Sequence, residues 1–127
     1  MIELLPPFWV IRVAVAIVWV YEGLWCKLIG GDPHQLTVVQ AVPGFAPGVG
    51  ALFLKALGVV ELGVAAWSLS GAAPIPCAVA QTLLLVALNT AGLVWARRII
   101  HDPGGMVAKN FAFLVLAWVS ASLPRWI

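Results

Sequence analysis

The sequence predicts an all-α integral membrane protein, a four-helix bundle crossing the bilayer up, down, up and down. Three observations predict it. Of the 127 residues, 63% are hydrophobic and only 9% charged, against about 25% charged in soluble domains, and mean hydropathy is +1.05. Four segments reach the ~20 mostly apolar residues that a bilayer crossing requires. These runs also lack the ~10-residue alternation of outer-membrane barrel strands, so the spanning form is the helix, which satisfies its backbone groups internally. Residues 1–127 read as a single transmembrane domain with helices at about 8–28, 48–69, 75–97 and 105–123. Little chain remains for an extramembrane domain.

The first helix follows Pro6-Pro7, since proline is tolerated in a first turn, where its missing N–H has no partner. Glu3 in place of a basic cluster, Arg12 inside the apolar run and the lack of a small-x-small site argue for a retained helix over a cleaved signal peptide. Gly30-Gly31-Asp32-Pro33 stops it. The loop over 32–47 has Pro33, Pro43, Gly44 and Pro47 as turn residues, and its apolar middle, 36–42, suits a short amphipathic piece in the headgroup zone. The second helix presents Gly50, Gly58 and Gly63, and the third Ala80, Ala87 and Ala91, small residues that allow close helix contact. A tight uncharged hairpin, 71–76, joins them. The fourth helix follows His101-Asp102-Pro103-Gly104-Gly105, and Pro124 ends it. Among seven tryptophans, Trp9, Trp25, Trp67, Trp95 and Trp126 fall near helix ends, as interfacial belts require; Trp19 and Trp118 fall further inside.

An internal parallel runs through the chain. Gly23-Leu24-Trp25-Cys26-Lys27 leading to Asp32-Pro33 matches Gly92-Leu93-Val94-Trp95-Ala96-Arg97 leading to Asp102-Pro103. Each is followed by a glycine and a lysine, Lys55 or Lys109, near the head of the next span, which describes two similar helical hairpins.

Polar residues inside the spans carry the functional signal. Take the face where the chain starts as side A and the other as side B. A rise of ~1.5 Å per residue places Glu22, Lys55 and Asn89 about 10–12 Å inside side B, and Lys109 and Asn110 about 6–8 Å. Lys27 marks the rim. Glu61 and Gln81 match each other in depth, about 9–12 Å inside side A, and are expected to form a secondary polar pair. Charges at such depth cost ~2.5–3.5 kcal/mol each on insertion scales, so they face inward and pair. Glu22 with Lys55 or Lys109 is the expected pairing. Two lysines over one carboxylate, with Asn89 and Asn110 as amides, make a net-positive layer suited to a carbonyl or anionic headgroup such as a quinone ring or a small oxyanion. Glu22, Lys55, Asn89, Lys109 and Asn110 are the candidate ligand-binding residues, and no side chain is assigned a catalytic role.

Other chemistries find no support in the sequence. Cys26 lies near side B and Cys77 near side A, about a bilayer apart, too far for a disulfide within one chain. With no CxxC, Cys/His cluster or acidic cluster, no metal site is expected. His34 and His101 fall just past helix ends on side B, which is a poor position for haem ligation. No phosphate loop, nucleophile motif or nucleic-acid patch is present. Lys27, Arg97 and Arg98 toward side B, against Arg12 and Arg125 toward side A, favour side B as cytoplasmic.

Arg12, the run Trp19-Val20-Tyr21-Glu22-Gly23-Leu24-Trp25-Cys26-Lys27-Leu28, then Gly58-Val59-Val60-Glu61 and finally Lys109-Asn110 resemble the DoxX-like family of small four-helix bacterial membrane proteins. The likeness covers nearly the whole chain. It implies a multi-pass bundle in the bacterial inner membrane. Members include the membrane subunit of a thiosulfate:quinone oxidoreductase and proteins associated with redox partners. The family supplies no settled catalytic residues to carry over. The leading expectation is thus a membrane-anchoring or quinone-facing subunit of a redox complex, with no redox cofactor of its own and a quinone as the bound group. Any enzymatic role would be that of an oxidoreductase subunit. A structural or accessory subunit of a larger assembly is the alternative, and a small-solute or proton carrier stepping between Glu22 and Glu61 is a third. The expected partners are lipid and redox protein subunits, in an oligomer or larger complex, without nucleic acid.

Overall fold

The computed structural model describes residues 6–45 and 48–123; Glu3, Pro47, Pro124, Arg125 and Trp126 lie outside them. All regular structure among the described residues is helical. The first span is α1, Phe8–Val20, continued without a break by a π-helical segment, Tyr21–Leu28. A short α2, Pro33–Gln40, sits in the long loop. The other three spans are α3, Val49–Ser70, α4, Pro74–Trp95, and α5, Pro103–Ala121. Among the described residues four helices are long and apolar enough to cross a membrane, so the chain is a multi-pass bundle as the sequence predicts.

Two details correct the sequence reading, and both come from aspartates. Asp32, part of the expected stop, and Asp102, part of the segment before the fourth helix, are N-caps: the Asp32 carboxylate accepts the His34 N–H at 3.1 Å, and that of Asp102 accepts the Gly105 N–H at 3.0 Å. A carboxylate there satisfies one of the donors that a first turn leaves orphaned, and the proline that follows suits the first helical position. The short helix therefore opens at Pro33, ahead of the apolar stretch 36–42, and α5 opens at Pro103, two residues earlier than expected. At the other end of α3, Gly71 adopts φ 72°, the left-handed turn that ends many helices.

The first span packs along α3, and α4 packs along α5, so the two hairpins of the sequence parallel are two helix pairs. The pairs join through α1 with α5 and α3 with α4, giving the order α1, α3, α4, α5 around the bundle. The spans α3 and α5 therefore stand on a diagonal. Val15, Ala16, Trp19, Val64 and Ala65 form the core, with Leu84, Leu85, Phe113 and Leu116 against it. The Trp19 ring meets Phe113 edge-on at 5.5 Å. Across the bundle its indole N–H donates to Gln81 Oε1 at 2.8 Å. Toward the outside, Trp9, Trp25 and Trp95 are about half exposed, as interfacial side chains should be.

Trp19 and Gln81 are each 2% exposed, so their hydrogen bond has no water to replace it. Gln81→Leu should lose about 1–3 kcal/mol, because it leaves a buried indole N–H without an acceptor. Denaturant unfolding in detergent measures this, and the double variant Trp19→Phe/Gln81→Leu should lie above the sum of its parts.

Candidate functional site

The most polar part of the interior lies on the side-B half of the first span, where the winding changes. In Tyr21–Leu28 hydrogen bonds run to the fifth residue, as with the Ile29 N–H donating to the Leu24 carbonyl at 2.8 Å. In an α-helix, residues five apart point about 140° away from each other. The wider π turn stacks them. Glu22 and Lys27 thereby come to one side, with Lys27 Nζ 3.4 Å from Glu22 Oε2 and donating to the Glu22 carbonyl at 3.4 Å.

Glycines set what the lysine reaches. A Cβ on Gly23 would stand 2.7 Å from the Gly58 carbonyl oxygen, and one on Gly58 would stand 2.8 Å from the Gly23 carbonyl oxygen and 3.0 Å from Lys27 Cβ. The two backbones touch only because neither residue has a side chain. The stem of Lys27 then lies across Gly58, and its ammonium meets Glu61, which shares the Gly58 face of α3 three residues on. Lys27 Nζ is 2.7 Å from Glu61 Oε1, a charge contact at an angle outside hydrogen-bond geometry. From α2, Gln35 Nε2 donates to Glu22 Oε2 at 3.0 Å. Exposure of the side chains falls along the chain of contacts, from 37% at Glu22 to 7% at Lys27 and 2% at Glu61.

This arrangement replaces the expected pairings. Lys27, placed at the rim by sequence, is a buried cation, and it serves both carboxylates. Glu61 meets Lys27, while Gln81 is occupied by Trp19 and by its own helix, donating to the Cys77 carbonyl at 3.4 Å. The reason is register. Gly23 lies against Gly58, Glu61 and Leu62, so the first span ends midway along α3 and not level with its start. The opening turns of α3 stand beyond that end, where α2 packs on them, with Gln40 and Val39 against Gly50.

Lys55 and Lys109 are exposed on the diagonal pair α3 and α5. No described ion pair links either to Glu22. Asn89 and Asn110 are brought together: Asn110 Nδ2 donates to Asn89 Oδ1 at 2.9 Å, and Asn89 Nδ2 to the Leu85 carbonyl at 2.8 Å. They tie α4 to α5, as does the Trp118 indole donating to Thr82 Oγ1 at 2.9 Å. The expected single layer is thus two clusters. One is Glu22, Lys27, Gln35 and Glu61, with two formal negative charges against one positive, opposite in sign to the expectation. The other is the neutral Asn89–Asn110 pair. Among the described residues no group of three or more His, Cys, Asp or Glu side chains is placed to hold a metal ion.

Depth counted on an unbroken α-helix with aligned ends puts Lys27 at the rim, whereas the π segment and the register of the first pair carry it inside. The readable signal was Gly23 four residues before Lys27 and Gly58 three before Glu61, a pair of small residues each followed by a charge of opposite sign.

The model of a family described as the DoxX-like family matches residues 16–118. That stretch contains the Glu22–Lys27–Glu61 cluster, the asparagine pair and α2. No curated protein and no solved structure gives a significant match.

Proposed function

The chain belongs to the DoxX-like family, and on that premise we propose that it is a membrane-anchoring subunit of a redox complex, a preformed platform on which a partner assembles. One observation carries the reading. Three pairs of inward-facing side chains join one span to another, Lys27 with Glu61, Trp19 with Gln81, and Asn110 with Asn89. Such contacts fix which helices neighbour which and at what register, which is what an anchor needs. Lys55 and Lys109 are exposed. A lysine within a span reaches headgroups by extending its stem, or meets an adjoining protein. The outer faces are broad, and only 11% of the apolar window of α5 is buried within the chain. The redox character of the partner is what the family resemblance implies. A quinone headgroup would in this reading sit between the chain and its partner, within reach of Lys109 or Lys55.

Purification of the full chain in mild detergent from its native membrane tests the reading. The expected result is co-migration with a protein showing flavin or haem absorbance. A colourless preparation of this chain alone overturns it.

A proton carrier is the second reading, favoured by the way Lys27 links half-exposed Glu22 to buried Glu61. Beyond Glu61 the path meets Val64, Ala65, Val15, Ala16 and Trp19, a packed apolar core, and so this reading ranks below the anchor. It expects proton flux in liposomes that Glu61→Gln abolishes, and a wild-type rate equal to that of empty liposomes removes it.

A further inference from the structure

Charge on the outside of the bundle is gathered toward one membrane face. Among the described residues the exposed charged side chains are Lys55, Arg97, Arg98, Lys109 and Asp102, four cations against one carboxylate, and all five belong to the side-B half. Toward side A the described residues carry one charge, Arg12, and it is buried. None of the four exposed cations takes part in an ion pair or a side-chain hydrogen bond among the described residues. The side-B carboxylates, by contrast, are engaged: Asp32 and Asp102 accept N–H groups of the helices they cap, and Glu22 accepts from Lys27 and Gln35. The rim is therefore positive, and its positive groups are free to meet something outside the chain.

Their heights differ in a way that selects the partner. Lys55 and Lys109 each stand six residues into their helices, α3 from Val49 and α5 from Pro103, so both are rooted about 9 Å from the side-B ends of those helices. Arg97 and Arg98 follow the last residue of α4, Trp95, and lie in the turn itself. A soluble protein resting on side B would meet the two arginines but not lysines rooted two turns down the spans. A single membrane helix would meet one lysine and not the other, because α3 and α5 stand on a diagonal of the bundle. Lipid surrounds the bundle and presents its phosphates at one height on every flank. A lysine rooted within a span lifts its ammonium to that height along its stem, and an arginine already there offers a planar fork of donors to a phosphate.

We propose that the side-B rim is a headgroup site for anionic phospholipids, in which Lys55, Arg97, Arg98 and Lys109 hold the phosphates of lipids with net negative charge in preference to zwitterionic ones. The preference arises because a zwitterionic headgroup brings an ammonium of its own along with the phosphate, and an anionic headgroup does not. Each basic side chain near an anionic surface strengthens association about fivefold. This inference is independent of the anchor reading, since lipid fills every flank that a partner leaves open.

The test uses the tryptophan fluorescence of the full chain in phosphatidylcholine vesicles that contain rising shares of brominated phosphatidylglycerol or of brominated phosphatidylcholine. Bromine quenches the indoles it touches, and Trp25 and Trp95, about half exposed toward side B, report the lipid there. In wild type the brominated phosphatidylglycerol should reach a given quenching at a share about two- to fivefold lower than the brominated phosphatidylcholine. In Lys55→Gln/Arg97→Gln/Arg98→Gln/Lys109→Gln the two lipids should quench alike. Should that variant fail to fold, Arg97→Gln/Arg98→Gln and Lys55→Gln/Lys109→Gln make the comparison, each losing part of the preference. Equal quenching by the two lipids in wild type overturns the proposal and leaves the rim to an acidic protein surface. A preference that survives the substitutions overturns it as well, and places the anionic lipid elsewhere on the bundle.

Discussion

Replacing Lys27 by methionine should lower the unfolding free energy by about 3–5 kcal/mol, because it removes one member of a buried ion pair and leaves the other charge uncompensated. Methionine keeps most of the stem that lies across Gly58, so the loss reports the charge. Glu61, 1% exposed, is the residue stranded. On α3 its inward neighbours one turn on are Val64 and Ala65 of the apolar core. Glu22 is affected less, since it is partly exposed and also accepts from Gln35. Removing both partners, in Lys27→Met/Glu61→Leu, should restore most of the loss, since an apolar pair of similar size needs no counter-charge. Reversible unfolding in mixed micelles measures all three chains. Lys55→Gln and Lys109→Gln, at exposed positions, should stay within about 0.5 kcal/mol of wild type. A Lys27→Met chain as stable as wild type would remove the cluster from the architecture proposed here.

Glycine at the crossing of the first span with α3 should be nearly as intolerant. Alanine favours a helix interior over glycine by about 0.8–1.0 kcal/mol, so Gly23→Ala and Gly58→Ala would stabilise if propensity alone counted. Each added methyl would instead meet the other helix's backbone oxygen at 2.7–2.8 Å, and backbone cannot rotate away as a side chain can. The helices must separate, at a cost of about 1–3 kcal/mol for overpacking. Separation also draws Lys27 from Glu61. The two substitutions act on one contact, so their effects should not add. Gly63 is the control: a Cβ there meets nothing within 4 Å, and Gly63→Ala should be neutral or stabilising. Cys26, 2% exposed beside Lys27, reports the opening independently, since a maleimide should modify it faster in Gly23→Ala than in wild type. Equal labelling rates and equal stability would show that the helices do not approach as closely as described.

How much of the site was readable follows from which kind of information each residue needed. Counting residues places Asn89 and Asn110 within a few ångströms of one depth, and they do meet, because α4 and α5 are regular helices for which the count measures height. Glu22 was correctly judged to need a cation inside the protein. Its partner is Lys27 and not the expected Lys55 or Lys109, because a π segment changes which residues share a face and nothing in Tyr21–Leu28 taken alone announces the change. Glu61 and Gln81 were matched in depth, but depth does not give azimuth: one faces the first span's lysine and the other Trp19.

The order of apolar runs and their punctuation by Pro, Gly and Asp determined the spans, their number and their alternation, because bilayer thickness and backbone hydrogen bonding leave a chain this hydrophobic few other forms. The tertiary structure decided the partners. Where Gly23 meets Gly58 sets the register of the first pair, that register carries Lys27 to Glu61, and Lys55 and Lys109 stay exposed on two helices that stand on a diagonal. Those outcomes depend on contacts between residues dozens of positions apart, where close packing and the cost of an unpaired charge select among arrangements that look alike along the chain.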